Sequence, residues 1–148
     1  MPQQSPTNQY KYREDHEKLP CECPVEKDLS YYEAIAFRFV HKNTTHPNCS
    51  LPNLKINPKR KISDCSRMCG GYALSFYVSL EHAKEGYKYC ASHFHNFKDT
   101  VGKHIAECQL TASDGRCEKT DKQGHFNFHE FEGTDLTNRF YNVVDAEP

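Results

Sequence analysis

Glu130-Phe131-Glu132 sets two carboxylates on one side of an extended segment, because alternate residues of a strand share a face. Phe126 and Phe128 lie on the same side by the same parity. An ionised carboxylate buried alone is very costly, so this pair either reaches water at a strand end or lines a cleft. A second group lies in the run from Gly70 to Ala83. Leu74, Phe76 and Val78 point one way there, and Ser75, Tyr77 and Ser79 the other. A strand that buries one face and presents hydroxyls on the other can carry a core and a site at once. The third group is soft ligands. Cys65 and Cys69, followed by Cys90 and His93, would suffice for a tetrahedral zinc, although the spacing fits no common finger. Two buried cysteines and surface histidines are the plainer alternative. A nucleophilic Cys–His pair, Cys69 or Cys108 with His125 or His129, is a further option without a local signature. Lys55, Lys59, Arg60 and Lys61 form a basic cluster, read as a solvated loop or as a contact for phosphate, a polynucleotide or a protein partner. Cys69-Gly70-Gly71-Tyr72 opens a strand and not a helix, so it lacks the mechanism of a phosphate-binding loop.

Arg38 on a first strand, Ser75 on a later one and Glu130-Phe131-Glu132 near the end of a late strand follow one another in an order that resembles ADP-ribosyltransferase-like domains. The resemblance implies an NAD-dependent glycosyl transfer. Arg38 would hold the NAD phosphates, and Ser75 with Tyr77 would shape the nicotinamide pocket. Glu132 would stabilise the ribosyl oxocarbenium and Glu130 would activate the acceptor. The Ser-Thr-Ser of that family is replaced here by Ser75-Phe76-Tyr77. A carboxylate beside a developing sugar cation is a strong stabiliser. The alternative from another class is a binding module, zinc-stabilised or not, that engages a protein or nucleic acid through its long loop and N-terminal arm.

The elements that must position these groups follow from hydrophobic period and turn chemistry. Residues 1–28 carry almost no periodic apolar signal and read as a mobile arm or an extended wrap over a single domain at 29–145. Ile35, Phe37 and Phe39 alternate with smaller or polar residues, which predicts a strand ending near Val40. Residues 41–64 are punctuated by Asn and Pro and read as a loop. Ser79 as N-cap and Glu81 in the first turn predict a helix ending near Cys90, with Gly86 as a weak point inside it. A short helix is expected between Ser92 and Lys103, then strands over residues 103–110, 125–132 and 139–144, with 116–121 irregular. The whole predicts an α+β domain with a twisted, largely antiparallel sheet, split or partly rolled, and one or two short helices.

Composition bounds the reading. A chain of 148 residues fits one domain with a core. Nine Phe and nine Tyr must fill that core with cysteine, because Leu, Ile and Val are scarce. The net charge of −1 argues against a protein built to coat nucleic acid or an acidic membrane. No apolar run approaches a membrane span, and residues 1–18 have no secretory h-region. A cytoplasmic protein whose eight cysteines mostly stay free is therefore expected. Two formal sequons, at Asn43 and Asn48, and the even cysteine count fit disulfides in a secreted protein instead.

Overall fold

Hydrophobic alternation in the chain resolves into an open six-stranded antiparallel sheet. The computed structural model describes residues 9–147. The strands are β1 (Ala34–Val40), β2 (Leu74–Tyr77), β3 (His104–Leu110), β4 (Gly115–Cys117), β5 (His125–Glu130) and β6 (Phe140–Asp145), in the spatial order β4-β5-β2-β1-β3-β6. The helices are α1 (Arg13–Glu17), α2 (Asn53–Ile56), α3 (Cys65–Gly70), α4 (Leu80–His93) and α5 (Phe97–Val101). The expected single α+β domain with an antiparallel sheet is thus the architecture. No helix among the described residues is long and apolar enough to cross a membrane.

The two faces of the sheet differ in kind. One face buries Ala36, Val40, Leu74, Phe76, Cys108, Phe126, Phe128 and Phe140 with Cys49 and Leu136 from outside the strands. Aromatic rings do most of the filling there: Phe76 stacks on Phe126 and meets Phe128 edge-on, with centroids 5.9 Å apart in both pairs. The opposite face is apolar only toward β1 and β3. There Phe37, Phe39, Tyr77 and Ile105 pack against Ala83 and Tyr87 of α4. Ser79 caps that helix, its hydroxyl accepting the His82 N–H. Gly86 has a packing reason: a Cβ there would lie 2.2 Å from the Tyr77 hydroxyl. The helix runs to His93, one turn beyond the expected end, closing with the Phe94 N–H bonded to the Cys90 carbonyl.

The described part of the N-terminal arm wraps the domain. Tyr10 is buried with Leu29 and Phe131, and the Lys11 N–H donates to the Glu130 carbonyl, which extends β5 by one partner. Two disulfides, Cys21–Cys65 and Cys23–Cys69, tie the arm to α3. The geometry is simple. Residues two apart in an extended arm share a side, as do residues four apart on a helix, so both pairs meet in parallel. This corrects the expectation of mostly free thiols for four of the eight cysteines. Cys49, Cys90, Cys108 and Cys117 are free.

Candidate functional site

The polar half of the second face lies over β2 and β5. Their register sets Ser75 opposite Asn127 and Tyr77 opposite His125. Period two then puts Ser75, Tyr77, His125, Asn127 and His129 on one face, away from the phenylalanines. A trough opens above them in two adjoining hollows. The larger, of about 760 Å³, is lined by Arg38, Ser75, Tyr77 and His125 on the sheet, by Phe94 and Phe97 on one side and by Arg60 on the other. The smaller, of about 580 Å³, is lined by Ser75, Asn127 and Glu118 with Arg60, Lys61 and Arg67. Asn53, Arg60 and Ser75 belong to both. Volumes of this size suit small organic ligands. Among the described residues Arg60, Lys61 and Arg67 have no ion-pair partner within 4.0 Å.

Hydrogen bonds order the floor. Ser75 Oγ and His125 Nε2 lie 3.0 Å apart. His125 Nδ1 is 3.5 Å from Asp121 Oδ2. Burial pulls the His125 pKa below its ordinary value, an effect the neighbouring Asp121 only partly offsets. His129 Nε2 meets Glu118 Oε2 at 2.7 Å. Burial raises the Glu118 carboxyl, but the hydrogen bond and charge of His129 outweigh it and leave that pKa low.

The residues singled out in the sequence scatter more than expected. Arg38 is buried, and its guanidinium is used up on carbonyls: Nε donates to Cys49 O at 2.7 Å, Nη2 to Leu51 O at 2.9 Å and Nη1 to Ser75 O at 3.1 Å. Ser75 and Tyr77 do stand on the trough floor. Glu130 neither reaches water nor lines the trough. It is 3% exposed and paired with Lys11 Nζ at 2.8 Å, and burial raises its pKa against the pull of that lysine. Glu132 lies past the strand end, 64% exposed, against Arg13. The two acids are parted because β5 stops at Glu130 and the chain turns at Gly133.

The proposed zinc ligands are corrected by the disulfides. Cys65 and Cys69 are bonded to Cys21 and Cys23, so neither is a thiolate, and Cys90 and His93 stand apart on α4. No metal-binding cluster of His, Cys, Asp and Glu occurs among the described residues. The Cys–His nucleophile is corrected likewise. Cys69 is bridged, and Cys108 lies in the core of the opposite face, where burial pushes its thiol up to about 12. Of the basic cluster, Lys55 is paired with Asp15 and Lys59 is exposed, while Arg60 and Lys61 rim the trough. His125 and His129 find other partners than cysteine, and Asn127, Glu118, Asp121 and Arg67 were not singled out at all. The alternation of His125, Asn127 and His129 behind Phe126 and Phe128 was the available signal.

Comparison with family models, with curated proteins and with solved structures finds no match.

One end of this floor carries a titration signature. His16 of α1 is 5% exposed, its Nε2 has no partner, and its ring lies 5.9 Å from that of His129. The Tyr10 and Tyr72 rings flank it, and the Asp15 carboxylate acts on it from the same helix. Burial, and then the charge of His129, bring its pKa to about 4 from an ordinary 6.5. The folded value is the lower one, so the unfolded chain takes up this proton first as pH falls. Stability present above pH 6.5 is lost as pH drops from 6.5 to about 4, by about 2–3 kcal/mol. The melting temperature of the wild type should fall by roughly 5–10 °C across that window on this account. In His16→Gln the slope should flatten; an unchanged slope would assign it to other groups.

Proposed function

We propose that the protein is a binding module whose trough over β2 and β5 takes a phosphate-bearing ligand of nucleotide size. The observation that carries this is the pairing of a basic wall with a polar floor: Arg60, Lys61 and Arg67 stand without carboxylate partners over Ser75 and Asn127. Three cations offer a phosphate both charge and donors, and arginine matches its geometry. Phe94 and Phe97, across the larger hollow, give a planar base apolar faces to lie against. NAD is one ligand of this class. The bridges Cys21–Cys65 and Cys23–Cys69 favour an oxidising compartment over the cytoplasm as the place where the module works.

Calorimetric titration with ADP-ribose tests the reading. Binding should weaken at least about threefold between 50 and 200 mM salt and fall about tenfold or more in Arg60→Ala/Arg67→Ala. An affinity indifferent to both salt and the double substitution would overturn it. A second reading, ADP-ribosyl transfer from NAD, draws on the direct pairing of β2 with β5 and on the hollow that Arg38 shares with Ser75. Because Glu132 stands outside that hollow, Glu132→Gln is expected to release nicotinamide from NAD no differently from wild type. Release lost in that variant would decide for the transferase.

A further inference from the structure

We propose that Ser75 is a nucleophile, activated by His125 and Asp121 for transfer of an acyl group from an ester bound in the trough. Nucleophile, base and orienting carboxylate stand in line. Ser75 Oγ is 3.0 Å from His125 Nε2, and His125 Nδ1 is 3.5 Å from Asp121 Oδ2. The carboxylate is itself held, since Asp121 Oδ1 accepts the backbone N–H groups of Gln123 and His125, each at 2.9 Å. Acid and imidazole therefore move as one unit on the turn that opens β5. The Asp121 carboxylate, 3.5 Å away, favours the ring proton on Nδ1, and with the proton there the Nε2 lone pair faces the Ser75 hydroxyl. Burial keeps the ring in this neutral, basic form. The groups facing His125 are few: Asp121 on its own turn, Ser75 and the Tyr77 ring from β2, and the charge of Glu118 beyond β4.

An oxyanion donor is adjacent. Asn127 stands directly opposite Ser75 in the β2–β5 register and borders the same hollow. Its Nδ2 makes one long hydrogen bond, 3.4 Å to Glu118 Oε1, and so keeps an N–H for developing negative charge. In the step itself, Ser75 Oγ forms a bond to the ester carbonyl carbon while its proton passes to His125 Nε2. The tetrahedral oxyanion collapses, the carbon–oxygen bond to the alcohol breaks, and that alcohol leaves with the proton from His125. Water then adds to the acyl-serine in the same manner, releasing the carboxylic acid and restoring the Ser75 hydroxyl. No redox partner enters.

A fluorophosphonate probe on the intact, disulfide-bonded protein tests this. Ser75 Oγ would bond to phosphorus, fluoride would leave, and mass spectrometry would locate the adduct. The expected result is one adduct on Ser75, formed about 100-fold more slowly in His125→Gln. Asp121 is a positioning residue. Asp121→Asn should move the midpoint of the pH–rate profile downward, because the imidazolium loses its counter-charge. Absence of an adduct on Ser75, or one formed at the wild-type rate in His125→Gln, would overturn the proposal. The relay stands on a different observation from the basic wall. ADP-ribose titration of the wild type reads the two apart: no phosphate binding with Ser75 labelled sinks only the binding reading, and phosphate binding with Ser75 unlabelled sinks only the relay.

Discussion

Replacing Cys65 and Cys69 together by serine should cost about 6 kcal/mol, against about 2–3 kcal/mol for either replacement alone. The reason lies in how the two bridges interlace. Cys21–Cys65 spans 44 residues and Cys23–Cys69 spans 46, so each alone closes nearly the same long loop. Closing a loop of that length in the unfolded chain is worth about 4 kcal/mol in the chain-entropy account. Once one bridge exists, the other closes only a ring of about eight residues, worth about 2–3 kcal/mol. A single loss therefore removes the smaller contribution, whichever cysteine is chosen, and the pair removes both. About 6 kcal/mol rivals the whole stability of many domains. Urea unfolding of the two single variants and the double variant measures the coupling directly. Two single effects that sum to the double effect would refute this coupling. The consequence reaches the trough, because α3 carries Arg67 and the segment before it carries Arg60 and Lys61.

Arg38→Met should destabilise the protein by about 3–5 kcal/mol and leave ADP-ribose affinity unchanged in the fraction that remains folded. This guanidinium is an internal brace. It ties the carbonyls of Cys49 and Leu51, in the segment that follows β1, to the Ser75 carbonyl of β2. Methionine would replace the apolar stem of the arginine and leave those carbonyls without donors. Lysine would restore the charge but only part of the fork, so Arg38→Lys should recover stability incompletely. The same pair of measurements separates two roles for this residue. If Arg38 instead held the phosphates of NAD, as the resemblance to ADP-ribosyltransferase-like domains implies, Arg38→Met would retain most of its stability and lose its ligand.

Long alternation made most of the fold legible. Apolar residues alternate in the strands at Ala34–Val40, Leu74–Tyr77, His104–Leu110 and His125–Glu130, large at Ile35, Phe37 and Phe39, at Leu74 and Phe76, and at Phe126 and Phe128, and smaller at Ala106 and Cys108 before Leu110; period two is a strong signal over four residues or more. β4 carries no such signal: Gly115–Cys117 is three residues long and exists because β5 offers it a partner. α3 was hidden for a different reason. It has no apolar stripe, ends in Gly70-Gly71 and owes its place to two bridges whose pairing depends on the fold. The described part of the N-terminal arm, residues 9–28, is likewise placed by what it meets and not by its own propensity.

The site was legible in halves. The hydroxyl face of β2 could be read from Leu74 and Phe76, which fix the opposite parity. The partner face of β5 was obscured because Phe126, Phe128 and the two glutamates drew the reading to the other parity. His125, Asn127 and His129 gain meaning only when β5 is known to lie beside β2. Asp121 is further from view still, since its contact with His125 depends on the turn at Gly124, whose φ is 74°. Charge alone did not separate Arg60, which borders both hollows, from Lys55, which is occupied by Asp15.

The most direct test of the trough as the functional site is a map of backbone amide chemical shifts during titration with ADP-ribose. Shifts should concentrate at Arg60, Arg67, Ser75, His125 and Asn127, and should be abolished by Arg60→Ala/Arg67→Ala. Shifts confined to Ser92, His93, Lys98 and Lys103, which border a further hollow at the end of α4, or none at saturating ligand, would contradict the account.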